Sequence, residues 1–379
     1  MDRESGTVTV TITAECLCKA HSFSSKILES DLPLKGVMCH CNSCRHVTGA
    51  LYLSMATWPQ PRQSVDTSGL QKYQFSANNT YLSCGVCSTL MFFEWPRQPS
   101  RLGVATGALK NVDANLVKFA EHIYVGDTID GGASVWLRKP NADGKEIPRY
   151  GERSEELPSD WPQAPNPEGL ENNQEQDSVP LWCHCKGINL LIQRGGNIAS
   201  KAEGAEPASY VDPRTNKPIA SFDVCDSCRL QFGSDIVYWT AVDLASITQA
   251  DGGAFPTTVT ELKAAVDAGE RTVGSLTYYQ SSPNVWRYFC KVCFASAFFS
   301  CENRPGIVHV PIGLLEASEG ARAERFLSWE LGDSPEWVND TKGGWREGLT
   351  ERALVEAEEF RLAKGLPTSL RRLKDEENE

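Results

Sequence analysis

Hydrophobic and polar positions alternate strictly near the start of the chain. Residues 7–13 read Thr-Val-Thr-Val-Thr-Ile-Thr, and this period-two pattern of β-branched residues predicts a half-buried strand. The predicted strand leads directly to Cys16 and Cys18. Similar β-rich runs follow at residues 51–58, 81–95, 101–109 and 122–125. Helical periodicity is scarce before the end of the chain, so the pattern predicts a mainly β protein.

Residues 139–180 interrupt this pattern. They contain seven prolines, many Glu, Asn and Gln residues and almost no apolar periodicity, which predicts a linker or a loosely packed excursion. The linker would separate a domain at residues 1–138 from a second at 181–340, and 379 residues suit two domains. Residues 351–374, rich in Ala, Leu, Glu and Arg, predict a C-terminal helix with an acidic, frayed end, within a helical tail at 341–379.

The cysteine pairs of the first domain recur in the same order in the second. The matching pairs are Cys16/Cys18 with Cys183/Cys185, Cys41/Cys44 with Cys225/Cys228, and Cys84/Cys87 with Cys290/Cys293. Three ordered matches indicate an internal duplication. The spacing between matched pairs grows along the chain, so the second copy carries insertions, and one of these predicts a short surface helix at residues 257–269.

Composition and charge narrow the function classes. Hydrophobic residues make up 41% and charged residues 23%, with no run of apolar residues long enough to span a membrane. The first residues lack the basic and apolar regions of a secretory signal, so we expect a soluble, cytoplasmic protein. The net charge of -12 repels a phosphate backbone, which argues against nucleic-acid binding. Closely spaced thiols in a long chain favour metal binding over disulfides.

The seven cysteines of the first domain divide into four and three. Structural zinc takes four protein ligands, whereas zinc that performs chemistry takes three and keeps one exchangeable position. Cys39, Cys41 and Cys44 lie within six consecutive residues and are the candidate open site. The pairs Cys16/Cys18 and Cys84/Cys87 would then join distant strands as a structural four-cysteine site.

Two alternatives compete with this division. A lone C-x-x-C motif can be a redox dithiol, but that motif belongs in a βαβ setting that this region lacks. All seven cysteines could instead be structural, perhaps in a shared cluster, although the odd ligand count speaks against it. Among the histidines, we expect His40 to face solvent or the substrate cleft, His46 and His122 to be satisfied polar residues, and His184 to be exposed.

The motifs of the first domain resemble those of the glutathione-dependent formaldehyde-activating enzyme family, also called the centromere-protein-V-like family. The resemblance covers most of residues 7–138. It rests on the following matches: Cys16-x-Cys18, Cys39-His40-Cys41-x-x-Cys44-Arg45-x-x-Thr48-Gly49-Ala50, Cys84-Gly85-x-Cys87, Thr106-Gly107-Ala108-Leu109 and His122-Ile123-Tyr124-Val125. It is weaker in the second domain, where it rests on the three cysteine pairs, Arg229 and a strand at residues 308–315.

The resemblance implies two tandem β-tent zinc domains, followed here by the C-terminal helix. It also implies carbon-sulfur lyase activity on glutathione adducts, with a catalytic zinc on Cys39, Cys41 and Cys44. Three thiolates make Zn²⁺ soft enough to accept a fourth sulfur, which the metal deprotonates. The expected cofactor is therefore Zn²⁺, with glutathione as a possible cosubstrate.

The second domain departs from the family pattern at one ligand. Its four-cysteine set is complete in Cys183, Cys185, Cys290 and Cys293. Asp223 occupies the position of Cys39, so the second candidate open site is Asp223, Cys225 and Cys228, and a carboxylate can still bind zinc. This domain has either kept its scaffold and lost its chemistry, or it holds a retuned site. Cys301 is left over as a small buried residue.

Two functions follow from the sequence. The first is a zinc-dependent carbon-sulfur lyase or transferase that acts on a glutathione or related thiol adduct of a small electrophile. The second is a non-enzymatic zinc-binding module that contacts a partner protein, because fold alone does not fix function. The open three-cysteine site favours the enzyme, with a small-molecule thiol adduct as its partner.

Overall fold

A computed structural model describes residues 8–162, 177–194, 209–335 and 337–377. These residues form twenty strands and five α-helices. The prediction of a mainly β protein with a helical C-terminus is confirmed. In the described part of the chain, no helix combines the length and the apolar character needed to cross a membrane.

The first half of the protein (residues 8–162) contains a hairpin and a seven-stranded sheet. The hairpin pairs β1 (Thr9–Glu15) with β2 (Ser22–Leu28). The large sheet has the order β5-β6-β7-β8-β4-β3-β9. Its strands are β3 (Leu34–Cys39), β4 (Leu53–Thr57), β5 (Gln71–Ser76), β6 (Asn79–Ser83), β7 (Leu90–Glu94), β8 (Leu102–Ala105) and β9 (Val117–Ile123), and helix α1 (Asn42–Thr48) follows β3.

The second half (residues 177–335) contains a three-stranded and an eight-stranded sheet. The smaller sheet has the order β10 (Ser178–Trp182), β11 (Asn189–Gln193) and β15 (Ile247–Gln249). The larger contains β12 (Val211–Asp212), β13 (Lys217–Asp223), β14 (Val237–Asp243), β16 (Leu276–Ser282), β17 (Val285–Cys290), β18 (Ser296–Cys301), β19 (Ile307–Pro311) and β20 (Ser328–Trp329). Its helices are α2 (Asp226–Phe232) and α3 (Val259–Asp267), so the predicted helix at 257–269 is confirmed.

The two large sheets repeat the same topology. The second runs β16-β17-β18-β19-β14-β13, which matches β5-β6-β7-β8-β4-β3 strand for strand. Each sheet also has one parallel pair at the equivalent place: β9 pairs with β3 in the first sheet, and β20 pairs with β13 in the second. The other strand pairs of both sheets are antiparallel. The order of cysteine motifs in the sequence therefore has a counterpart in the order of strands.

The halves contact each other through reciprocal arginines. Arg45 in α1 donates to the carbonyls of Gly313 and Leu315, at 3.3 Å each. Arg229, at the same position of α2, donates to the carbonyls of Gly107 and Leu109, at 2.7 and 3.0 Å. Both arginines are buried. The contact is thus pseudo-symmetric, with each helix holding the opposite half.

Glycine is required where the two backbones approach. The N–H of Gly313 donates to Gly49 O at 3.0 Å, and the N–H of Gly107 donates to Gly233 O at 3.2 Å. A Cβ at either Gly107 or Gly313 would overlap backbone atoms of the other half. A larger residue would force the halves apart, so these glycines belong to the interface and not to a flexible turn.

Part of the segment predicted as a linker is packed against the first half. Buried Asn141 accepts from the N–H of Phe119 at 2.8 Å and donates to its carbonyl at 2.7 Å. The N–H of Tyr150 donates to His122 O in β9 at 2.9 Å, so this part of the segment lies along the outer edge of the sheet. Residues 163–176 of the predicted linker lie outside the described residues.

The C-terminus forms two helices in place of the single helix predicted at residues 351–374. Helix α4 spans Trp345–Ala363 and α5 spans Leu370–Glu377. Gly365 adopts a left-handed φ of 62° just after α4, and Pro367 follows it. Glycine and then proline past a helix end are ordinary stop signals, so the prediction of one continuous helix was wrong.

A buried ion pair attaches α4 to both halves. Arg346 Nε lies 2.8 Å from Asp235 Oδ1, and both side chains are almost completely buried. The other oxygen of Asp235 accepts from Thr106 at 2.6 Å and from Ser54 at 3.1 Å. The carboxylate of one half is therefore satisfied by hydroxyls of the other half and by the C-terminal helix.

Replacing Arg346 with methionine should lower the free energy of unfolding by about 3–5 kcal/mol, because it leaves the Asp235 charge buried without its partner. Urea denaturation of the zinc-loaded protein measures the change. Arg371→Met, on the exposed surface of α5, is the control and should change that energy by less than about 0.5 kcal/mol. Equal losses from both substitutions would contradict a role for the buried pair.

Candidate metal centres

The first four-cysteine site joins the β1–β2 turn to the β6–β7 turn. Cys16 Sγ lies 3.5 Å from Cys18 Sγ, which lies 3.6 Å from Cys84 Sγ. The four sulfurs, including that of Cys87, are all within 4.8 Å of one another. A tetrahedral zinc with sulfurs at about 2.3 Å requires sulfur separations of roughly 3.8 Å. The four residues grouped from the sequence could therefore hold one metal ion.

A backbone N–H and a side-chain hydroxyl orient two of these sulfurs. The N–H of His21 donates to Cys16 Sγ at 3.2 Å, and the Thr89 hydroxyl lies 3.3 Å from Cys87 Sγ. Both turns are tight because Lys19 and Ser88 adopt left-handed backbone conformations. Donors aimed at sulfur stabilise a thiolate, as expected around a metal.

The second four-cysteine site has the same construction. Cys185 Sγ lies 3.6 Å from Cys183 Sγ and 3.5 Å from Cys290 Sγ. Cys293 completes a set whose sulfurs are within 4.8 Å of one another. The N–H of Ile188 donates to Cys183 Sγ at 3.2 Å, at the position that His21 occupies in the first site. This set could also hold a metal ion.

The three-cysteine site is built at the junction of β3 and α1. Cys39 ends the strand, and Cys41 is the N-cap of the helix, where its sulfur accepts from the N–H of Cys44 at 3.3 Å. The three sulfurs lie within 4.8 Å of one another. One strand-to-helix turn therefore gathers all three candidate ligands, as the sequence spacing predicted.

Access to this site is one-sided. Cys39 and Cys44 are buried, whereas Cys41 is partly exposed. Hydrogen bonds from the Cys39 and Cys44 thiols lower the pKa of Cys41, so this thiol is the first of the three to carry a negative charge. An incoming molecule would reach the trio from the Cys41 side.

Aromatic side chains form the wall of the three-cysteine site. The Tyr81 hydroxyl lies 3.4 Å from Cys44 Sγ. Burial and the nearby Cys44 thiol raise the pKa of Tyr81 well above its ordinary value, so it stays a neutral donor. The Phe75 ring stacks on Tyr81 with a centroid distance of 4.4 Å. Tyr81 and Phe75 were missed in the sequence.

His40 was predicted to face solvent or the substrate cleft, and its complete burial contradicts that prediction. It is completely buried, and its Nε2 lies 2.9 Å from His122 Nδ1. Because His122 Nε2 lies 2.8 Å from Leu137 O, His122 donates there and accepts from His40. Burial lowers the pKa of both rings, that of His122 to about 4, so both remain neutral. The pair fixes the loop that carries Cys39 and Cys41.

The predictions for the other histidines have mixed outcomes. His46 and His122 are satisfied buried residues, as predicted, and His46 contacts Trp182 O at 2.7 Å and Glu316 Oε2 at 2.8 Å. His184 was predicted to be exposed, but it is partly buried and stacks on Phe75 with a centroid distance of 4.7 Å. Cys301, predicted to be buried, is partly exposed.

The Asp/Cys/Cys site of the second half has a different chemical environment. Asp223, Cys225 and Cys228 also place one ligand atom each within 4.8 Å of the others. Asp223 Oδ1 accepts from the N–H of Cys225 at 2.7 Å, and Oδ2 accepts from the Cys228 thiol at 3.1 Å. Both carboxylate oxygens therefore already have donors.

A buried guanidinium faces this second trio. Arg287 Nη1 lies 3.6 Å from Cys228 Sγ and 3.0 Å from Gln231 Oε1. Burial would lower the pKa of Arg287, but the Cys228 and Cys225 thiols raise it, so the side chain stays charged. Arg287 stands three residues before Cys290, the position of Tyr81 before Cys84. The three side chains could hold a metal ion, and a cation bound here would also meet a fixed positive charge that opposes its binding.

The comparison of the two halves could have revealed this difference. Arg287 occupies in β17 the place that Tyr81 occupies in β6, and the alignment of cysteine pairs alone defines that correspondence. Neither side chain could be placed at an open site from the sequence, because only the fold shows which side of each strand points towards the trio.

Comparison with known proteins gives one match, in the first half. The family model for glutathione-dependent formaldehyde-activating enzyme matches residues 11–127. That range contains the first four-cysteine site and the three-cysteine site. The match indicates glutathione-related enzyme activity at the level of the family. No curated protein and no solved structure matched the chain.

Proposed function

We propose that the chain is a zinc-dependent carbon-sulfur lyase or transferase that acts on a glutathione or related thiol adduct of a small electrophile. The observation that carries the proposal is the three-cysteine site, which has two buried ligands and one accessible ligand inside the matched range. Three thiol ligands leave one position of a tetrahedral zinc free for a substrate sulfur.

The protein groups around the site have distinct roles in this proposal. Bound zinc would supply a soft Lewis acid that keeps a substrate thiol deprotonated. Cys39, Cys41 and Cys44 would hold the ion, and the Tyr81 hydroxyl would donate to Cys44. The buried His40–His122 pair would keep the strand-to-helix turn in place. Phe75 would keep water from one side.

The substrate class is tested by incubating the zinc-loaded chain with glutathione and a panel of small aldehydes. Proton NMR would follow the formation or breakdown of each adduct. Faster exchange than in buffer, lost in Cys41→Ser, is the expected result. If no adduct is formed or broken faster by the wild-type protein, the enzymatic proposal fails and the non-enzymatic zinc module becomes the better description.

We also propose that the two halves arose by tandem duplication and that turnover belongs to the first. The repeated strand order and the reciprocal Arg45 and Arg229 contacts support the duplication. The asymmetry is supported by two replacements at the second trio, Asp223 for Cys39 and Arg287 for Tyr81. A carboxylate is a harder ligand than a thiolate and less suited to a soft sulfur substrate.

Purified protein should contain three zinc ions per chain: one in each four-cysteine site and one in the three-cysteine site. The fourth candidate, Asp223, Cys225 and Cys228, should be vacant because Arg287 already supplies a positive charge there. Elemental analysis of protein prepared without chelator measures the ratio. Four zinc ions would contradict the role of Arg287, and iron or less than one zinc would contradict the entire assignment.

A further inference from the structure

The helix of the three-cysteine site is docked on the second half. The Trp182 ring stacks on the His46 ring with a centroid distance of 3.3 Å and an interplanar angle of 7°. The N–H of His184 donates to His46 O at 2.9 Å. The end of β10 is therefore fixed against α1, which carries Cys44, and His184, two residues beyond Trp182, is held beside this helix.

The side chain of His184 continues the aromatic wall of that site. Its Nδ1 lies 2.6 Å from the Tyr73 hydroxyl, and its ring stacks on Phe75 at an angle of 22°. Phe75 stacks in turn on Tyr81, whose hydroxyl contacts Cys44. Three rings thus form one layer that runs from the second half to a candidate zinc ligand.

The hydrogen bond to Tyr73 sets the tautomer of His184. The Tyr73 hydroxyl lies 2.6 Å from Nδ1 and donates to it when the ring is neutral. The neutral ring then carries its proton on Nε2, for which the described residues provide no hydrogen-bond partner.

The equivalent positions around the Asp/Cys/Cys site lack this wall. Leu17 stands between the first pair of cysteines where His184 stands between the second pair. Ser281 and Arg287 stand where the first half has Phe75 and Tyr81. Of the two trios, only the one that we propose to be catalytic has this layer of three rings. A purely structural role in the interface would not require this difference between the halves.

We propose that the wall of the three-cysteine site is composite and that His184, carried by the second half, binds the oxygen on the carbon attached to sulfur in the thiol adduct. The proposal rests on the proposed function. The Nε2–H donates to the hydroxyl that an aldehyde leaves on the carbon attached to sulfur, while Phe75 and Tyr81 cover the adduct on one side. The second half thereby contributes a substrate-binding residue even though its own trio lacks a three-thiol set.

The test compares glutathione with its formaldehyde adduct as probes, using the full zinc-loaded chain. His184→Leu should weaken the apparent affinity for the adduct about tenfold, the value of one hydrogen bond, and should change glutathione binding less than about twofold. His184→Gln keeps a side-chain donor and should recover part of the loss. Leu17→Ala is the matched control and should affect neither probe. Zinc content must stay at the wild-type value in each variant.

Equal weakening of both probes would overturn the proposal, because His184 would then support the site without contacting the oxygen. If the wild-type protein binds neither probe, the proposed function fails, and the composite wall is tested without a substrate. Iodoacetamide labelling of Cys41, followed by peptide mass spectrometry, should then be about threefold faster in His184→Ala than in the wild type, because the accessible thiol loses its cover. An unchanged rate would overturn the composite wall itself.

Discussion

Replacing Cys84 with serine should unfold the protein, whereas replacing Cys41 with serine should leave it folded and remove activity together with one zinc ion. Metal binding at a structural site is part of the folding free energy, about 10–16 kcal/mol in zinc-finger peptides. Cys84 belongs to a site that joins the β1–β2 hairpin to the large sheet, so its loss separates distant strands. Cys41 belongs to one strand-to-helix turn whose neighbours are already held by His40 and His122.

Thermal melts followed by circular dichroism distinguish these outcomes, with elemental analysis of each soluble variant. Cys301→Ser is the matched control, since this partly exposed thiol lies outside the four candidate sites, and it should melt like the wild type. Identical melting of Cys84→Ser and Cys41→Ser would show that the division into four and three ligands is wrong. Retention of every zinc ion in Cys41→Ser would show the same.

The effect of Cys84→Ser should extend to the second half. Tyr279 in β16 is close enough to Cys18 and Cys87 for their charges to raise its pKa, after burial, and Tyr73 in β5 stands in the same relation to Cys293 and Cys185. Each hairpin thus reaches the four-cysteine site of the opposite half. Two independent domains at residues 1–138 and 181–340 would unfold in two thermal transitions. Because of these contacts between the halves, we expect a single unfolding transition.

The ligand groups were predictable because metal binding constrains short-range spacing. A C-x-C or C-x-x-C pair must place two sulfurs on one turn, and every such pair can be seen in the sequence. The strands at residues 7–13 and 101–109 were similarly marked by β-branched or apolar residues. The structure places all fourteen predicted ligands in the four expected groups.

The contacts between the halves were not predictable, since they join residues that are far apart in sequence. Arg45 appears in the sequence as one more charged residue after a cysteine, and only the fold shows that it caps carbonyls of Gly313 and Leu315. The seven prolines of residues 139–180 favoured a linker, but proline is equally compatible with a rigid segment packed on a surface. The hydrogen bonds between Asn141 and the backbone of Phe119 show that residues 139–162 include such a packed segment.

Turnover should depend on the first trio and hardly at all on the second. Cys41→Ser should lower turnover at least a hundredfold, whereas Cys225→Ser should lower it less than about threefold, because a group that does not touch substrate contributes little to transition-state binding. Steady-state rates with one thiol adduct measure both variants. An equal loss from the two substitutions would show that the second trio is catalytic and that Asp223 is a retuned ligand.

The double variant Asp223→Cys/Arg287→Tyr should raise the zinc content from three to four ions per chain. Zn²⁺ and a guanidinium about 4 Å apart repel by about 8 kcal/mol at an effective dielectric constant of 20, because the ion carries two charges, so the fourth ion should bind several orders of magnitude more weakly while Arg287 is present. Asp223→Cys alone restores the third thiol but keeps that repulsion, so it should bind the fourth ion much more weakly than the double variant in a chelator competition. A full fourth zinc in Asp223→Cys alone would show that the missing thiolate, and not Arg287, keeps the second trio empty.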